Sequence, residues 1–301
     1  MNKTSWAGER RWWQPGPLDW SGREMAAMRL GFAVLVYVAI KWETGAWTSQ
    51  KFPNGLAHWV DVTWIGKAPP GWGLKALTAA GLAAYVWGRL PVLGLLAALG
   101  LSVVIGTLGN SQGAINHSTQ LVSLMLLGQF LVYGAAGLAG GAGEWVRPSV
   151  AWQRRAVYAA TVVIAASYVV SGVMKLVNSH FRWLEEAPYL AVQLLKTNWS
   201  HYHDTLEMPP GWLQVATQAL VDHPNGARLF FGSGLLIELA GFVVLINRRW
   251  AAAGGLAIIA LHLSISQVMS LNFVNHMAAA LIFLVNVPGW WMRRSAPPEA
   301  R

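Results

Sequence analysis

Eight stretches of this chain, at about 25–43, 72–88, 91–108, 117–138, 156–175, 229–246, 251–268 and 271–291, run almost free of charge and are parted by charged or Gly/Pro-rich breaks. A hydrocarbon core is crossed by about 20 helical residues, and every backbone polar group inside it must be paired within its own segment. The pattern therefore predicts an all-α, polytopic membrane helix bundle of about eight transmembrane helices. Composition agrees, since 12% of the residues are charged, about half the share typical of soluble domains. The 72–88 and 251–268 windows are short, which implies tilt, local thinning or burial within the bundle. A single domain is expected over 1–301, with its core at about 20–292 and two outer loops at about 44–70 and 176–227. In the second loop, Trp183, Tyr189, Trp199, Tyr202 and Trp212 mix with Leu and Val. Those spacings suit interfacial amphipathic helices on the outer side, either a lid or an ordinary aromatic belt.

The cations give sidedness. With the N-terminus inside, fourteen of the 22 Lys and Arg residues fall on the inner face and eight on the outer, and the short Asn247-Arg248-Arg249 connection is an inner turn. This is the positive-inside pattern, so both termini are expected in the cytoplasm. The +9 net charge then reads as a topology signal, and no nucleic-acid partner is expected. The first apolar run lies behind some 24 polar and aromatic residues, so it reads as a retained helix rather than a signal peptide. Zero cysteines exclude thiolate catalysis, disulfides and iron–sulfur clusters.

Ionisable groups inside spans are costly and mark function or helix–helix glue. His262, near the outer end of the seventh window, and His276, near the start of the eighth, fall at similar depth below the outer surface, where Asn116 and His117 open the fourth window and Lys175 closes the fifth. Gln267, Ser266, Asn272 and Asn275 add hydrogen-bonding groups around the same turn. Each has a plainer reading: a terminal lysine snorkels, His117 caps or bonds a loop, and the other two histidines join helices. Glu238 and Tyr168 form a quieter pair, structural or a proton path. His201-x-His203, Asp204 and His223 carry metal-ligand types in the outer loop, but without fixed helical geometry, and no metal is assigned.

Taken together, the motifs resemble a known family. Tyr168-Val-Val-Ser-Gly-Val-Met-Lys175-Leu176, followed by Trp183, resembles the segment of vitamin K-dependent gamma-glutamyl carboxylases that carries their catalytic lysine. Asn116-His117-Ser118, Gly234-Leu-Leu-Ile-Glu238-Leu-Ala-Gly241-Phe242 and His262-x-x-x-Ser266-Gln267 followed by Phe273 are similar to further segments of the same membrane module, the HTTM (horizontally transferred transmembrane) domain. The resemblance implies a quinol-dependent membrane enzyme in which Lys175 is the base that deprotonates a reduced quinone of the vitamin K or menaquinone type. Oxygen and carbon dioxide are its implied co-substrates. His117 and His262 would lie near the quinol or the reacting carbon, with Asn116, Tyr168, Trp183, Gln267 and His276 around the quinone. The implied partners are the lipid bilayer, the quinone, and a small-molecule or protein substrate. The rival reading is a non-enzymatic membrane subunit or lipid-binding or quinone-binding protein that keeps the fold. Because methionine retains the apolar stem, Lys175→Met is expected to remove the base and leave the fold standing.

Overall fold

The structure, a computed structural model, describes residues 18, 20–43, 55–66, 70–111, 117–269 and 271–294. Among them every regular element is helical. The elements that build the bundle are α1 (Gly22–Glu43), α2 (Pro70–Val86), α3 (Pro91–Ser111), α4 (His117–Gly140), the short α5 (Ala142–Val146) and α6 (Val150–Asn178). They are followed by α7 (Trp183–Thr205), α8 (Gly211–Asp222), α9 (Pro224–Leu239), α10 (Arg248–Met269), α11 (Val274–Ala279) and α12 (Val287–Arg294). A 3₁₀ segment, Ala240–Leu245, extends α9, and a π turn, Ala280–Val285, extends α11. Two 3₁₀ turns, Gly55–His58 and Thr63–Gly66, are what is described of the first expected outer loop.

Among the described residues five helices are long and apolar enough to cross a membrane: Pro91–Gly109, Ser118–Gly140, Val150–Asn178, Pro224–Leu245 and Arg248–Met269. The chain is thus consistent with a multi-pass membrane protein. The expected spans at 25–43, 72–88 and 271–291 are not among these five: the side chains at the end of α1 lie outside the described residues, α2 has 17 residues, and α11 with its π turn, six residues each, ends at Asn286. The expected outer loop at 176–227 is mostly helix, as α7 and α8.

Neighbours in sequence pack as neighbours in space: α2 on α3, α3 on α4, α4 on α6, α6 on α9, and α10 between the 3₁₀ and π segments that flank it in sequence. The last segment closes the bundle, because α11 packs on α4 and α1. Phe32 of α1 is the centre of this closure, with the Tyr85 ring at 6.3 Å and the Phe283 ring at 5.5 Å, both edge-on. Such edge contacts among buried rings fix helix positions beyond what apolar area alone would do.

One end of the bundle is tied by charge. Ser21 and Glu24 form a capping box, the Ser21 N–H donating to Glu24 Oε2 at 2.7 Å and the Glu24 N–H to Ser21 Oγ at 3.3 Å. This satisfies the amides that the first turn leaves open. The other Glu24 oxygen accepts from Arg248 at 2.6 Å, joining the start of α1 to the start of α10. Arg29 donates to Gln153 at 2.6 Å near the start of α6, and the Leu90 N–H between α2 and α3 donates to Val146 O at 2.9 Å. The starts of α1, α6 and α10 and the α2–α3 and α4–α6 connections therefore share one end, as alternate crossing requires.

Candidate functional site

Toward the opposite end, α6 presents Tyr168, Ser171 and Lys175 at spacings of three and four, which places them on one face of the helix. Glu238 of α9 stands against that face. Lys175 Nζ donates to both carboxylate oxygens at 2.6 Å, and Ser171 Oγ donates to Oε1 at 3.3 Å. The approach is allowed by two glycines. A Cβ at Gly172 would press on Leu239 at 3.0 Å, and one at Gly241 would meet Tyr168 Cβ at 2.9 Å and Ala165 O at 3.1 Å. The exposure of the pair is uneven, with 34% of the Lys175 side chain accessible and 9% of that of Glu238. Lys175 also lies 5.5 Å from the centre of the Trp183 ring, a cation–π arrangement.

Seven residues before Lys175 on α6, about two turns, the Tyr168 hydroxyl and His262 Nε2 of α10 are 2.5 Å apart. Counting protons assigns the direction. If Tyr168 donates, a single group is left over, the N–H at Nδ1 of His262; the reverse tautomer would strand both the tyrosine proton and the Nδ1 lone pair. His262 also stacks on Phe273 at 4.6 Å and lies 5.1 Å from the ring of His276. Electrostatic interaction couples Tyr168 to Glu238 and His262 to Lys175. Lys175, Glu238, Tyr168, His262 and His276 thus form one polar cluster drawn from α6, α9, α10 and α11.

Of the expected site residues, Lys175, Tyr168, Trp183, His262 and His276 come together here. Gln267 sits on α10 but is exposed and away from this contact set. Asn116 and the side chain of His117 lie outside the described residues, so their expected approach to Lys175 stays an expectation. The partner the sequence reading did not assign is Glu238, set there with Tyr168 but bonded here to Lys175. A signal existed: a lone carboxylate and a lone ammonium in neighbouring apolar windows are each too costly to bury unless they meet. Among the described residues no three of His, Asp and Glu gather as metal ligands, and the His201 side chain lies outside them.

Two buried N–H groups beside the cluster make no hydrogen bond, Nε1 of Trp183 and Nδ1 of His262. An unmet donor in a low-dielectric site carries a desolvation penalty of about 1–3 kcal/mol, which an oxygen acceptor would relieve. A cleft of about 350 Å³ lies elsewhere, between α1, α3 and α4. None of its lining residues belongs to the cluster. The cluster, not the cleft, is the candidate site, because it gathers the titratable groups. Comparisons with protein-family models, curated proteins and solved structures find no match to this chain.

Proposed function

We propose that this is a quinol-dependent membrane enzyme of the HTTM and vitamin K-dependent carboxylase kind, with the Lys175–Glu238 cluster as its reaction centre. The observation that carries the reading is the bidentate ion pair of Lys175 and Glu238 among apolar spans, flanked by two unmet N–H donors. In the full topology eight helices cross, both termini are cytoplasmic, the cluster faces the outer leaflet, and α7 and α8 lie at the outer interface. Support comes from the inner cations Arg29, Arg154 and Arg248, which bond at the shared end of α1, α6 and α10.

A reduced quinone supplies two acidic hydroxyls and the electrons that oxygen takes up, with carbon dioxide as a further co-substrate and a small molecule or protein as acceptor. The rest falls to the chain. Lys175 as the ammonium has no lone pair, so the carboxylate at 2.6 Å is what makes it a base: transfer of one proton to Glu238 leaves a neutral amine beside a neutral acid. Proton transfer within so short a pair separates no charge, and the neutral pair suits a low-dielectric site. The amine then takes a proton from the substrate hydroxyl, while Trp183 Nε1 and His262 Nδ1 hold oxygens in place. Tyr168 fixes the His262 tautomer and so acts as a positioning residue.

The experiment follows from the pair. Purified protein is supplied with a reduced menaquinone, and oxygen uptake and product mass are measured. The native chain should turn over, whereas the exchanged pair Lys175→Glu with Glu238→Lys should fold and fail, because the amine has moved to another helix. Equal turnover by both rejects Lys175 as the base. No turnover by the native chain favours the non-enzymatic binder, a reading that the separate 350 Å³ cleft also supports.

A further inference from the structure

The cleft between α1, α3 and α4 has a hydrogen-bonding character opposite to that of the cluster. Its walls are apolar, from Ile40, Val103, Ile105, Val122 and Leu124, and hydroxyls interrupt them at Ser102, Ser123 and Thr107. Proton counting gives each of these hydroxyls a use for its proton. The contact of 2.5 Å between Ser102 and Ser123 fits either direction, but both protons are bonded only when Ser123 donates to Thr119 O at 3.1 Å and Ser102 donates to Ser123. Thr107 donates to Val103 O at 2.9 Å. A hydroxyl has one proton and two lone pairs, so these three groups can offer an incoming molecule acceptors but no donor. Thr119 and Gln120, at the end of the cleft near the start of α4, have interactions of their own.

We propose that this cleft binds an apolar molecule carrying a hydroxyl, an aliphatic or isoprenoid alcohol, whose O–H donates to the Ser102–Ser123 pair. An ether, ester or ketone of the same size brings only acceptors and would face the serine lone pairs unmatched. The size is adequate, since a dry cavity of about 150 Å³ holds benzene and this one is about 350 Å³. Access is sideways from the bilayer, because Val103 and Leu124 are about half exposed on helices that span it. Gly106 keeps the space open, and a Cβ built there meets nothing within 4 Å. The proposal does not depend on the quinol reading, because no lining residue is shared with the Lys175 cluster.

The test is binding of farnesol and of farnesyl methyl ether to the full chain, delipidated in detergent and followed by native mass spectrometry. One farnesol per chain should bind saturably, with the ether roughly two- to tenfold weaker, the worth of one hydrogen bond. Ser102→Ala with Ser123→Ala should abolish that preference and keep ether binding. Gly106→Leu, which fills the cleft, should lose both ligands. The exchanged Lys175–Glu238 pair should bind farnesol as the native chain does, whatever its turnover. Absence of saturable farnesol binding, equal binding of alcohol and ether by the native chain, or unchanged binding in Gly106→Leu would overturn the proposal.

Discussion

Removing one partner of the Lys175–Glu238 pair should cost very different amounts depending on which partner goes. Lys175→Met strands a carboxylate whose side chain is 9% accessible and whose remaining hydrogen bond is the long one from Ser171, 3.3 Å. Breaking a buried pair from one side costs about 3–5 kcal/mol. The upper end is out of reach, since at pH 7 an ordinary glutamate can instead take a proton for about 3.7 kcal/mol, at 1.36 kcal/mol per pH unit above about 4.3. The expected loss is therefore about 3–4 kcal/mol. Glu238→Gln strands a lysine that is 34% accessible, and a four-carbon stem lets the ammonium reach water. Its loss should be about 1 kcal/mol, in line with polar pairs in membrane bundles. This outcome differs from the sequence-based expectation that Lys175→Met spares the fold. Unfolding in mixed micelles followed by tryptophan fluorescence measures both losses, and the same measurement decides between the two outcomes. Equal losses for the two variants would refute the reasoning.

Other consequences can be checked with the same protein. Gly241→Val should push α6 from α9 through Tyr168 Cβ, 2.9 Å from where its Cβ would sit, and cost about 1–3 kcal/mol in the same assay as overpacking does. Glu24→Gln should cost about 1–3 kcal/mol by removing the carboxylate charge that accepts from Arg248 at 2.6 Å, whereas Glu24→Leu with Arg248→Met should recover most of the loss. Reporter fusions after Gly143 and at the C-terminus should both read cytoplasm, and a signal from the other side at either would overturn the topology. The exposed Arg182 is held charged by its hydrogen bond and proximity to Glu185, which raise its pKa further above the arginine range. Any contribution it makes would be lost only at still higher pH, so Arg182→Gln should leave the melting profile between pH 5 and 9 unchanged.

The helical class and the position of most helices were legible because a membrane helix announces itself by length and by the absence of charge, properties of single segments. What was not legible depends on departures from a uniform span. Ala280–Val285 looks as apolar as any stretch nearby, yet it takes a π turn and ends at Asn286 in a left-handed conformation, φ 49°. The helices of 176–227 were half legible. Their aromatic and apolar spacing predicted amphipathic helices, but not that Ala187, Ala191, Leu194 and Asn198 would form one buried face on α7, which packs on α9.

The site divides along a similar line, between what a depth argument can place and what only pairing decides. Comparable depth along their helices was enough to bring His262 and His276 together, because α10 and α11 follow one another closely in sequence and depth is nearly all that separates their residues. Lys175 and Glu238 are different. They lie 63 residues apart in sequence, and the register between α6 and α9 is set by Gly172 and Gly241, two absent side chains that no reading of polar residues would weigh. A lysine near a helix end reads as snorkelling when its own span is considered alone. It becomes the counter-charge of a buried acid only when the small residues opposite let the two backbones close. The chemistry open to this cluster thus rests on two glycines as much as on its ionisable groups, since widening the α6–α9 contact would return Lys175 to water and leave Glu238 without its ammonium.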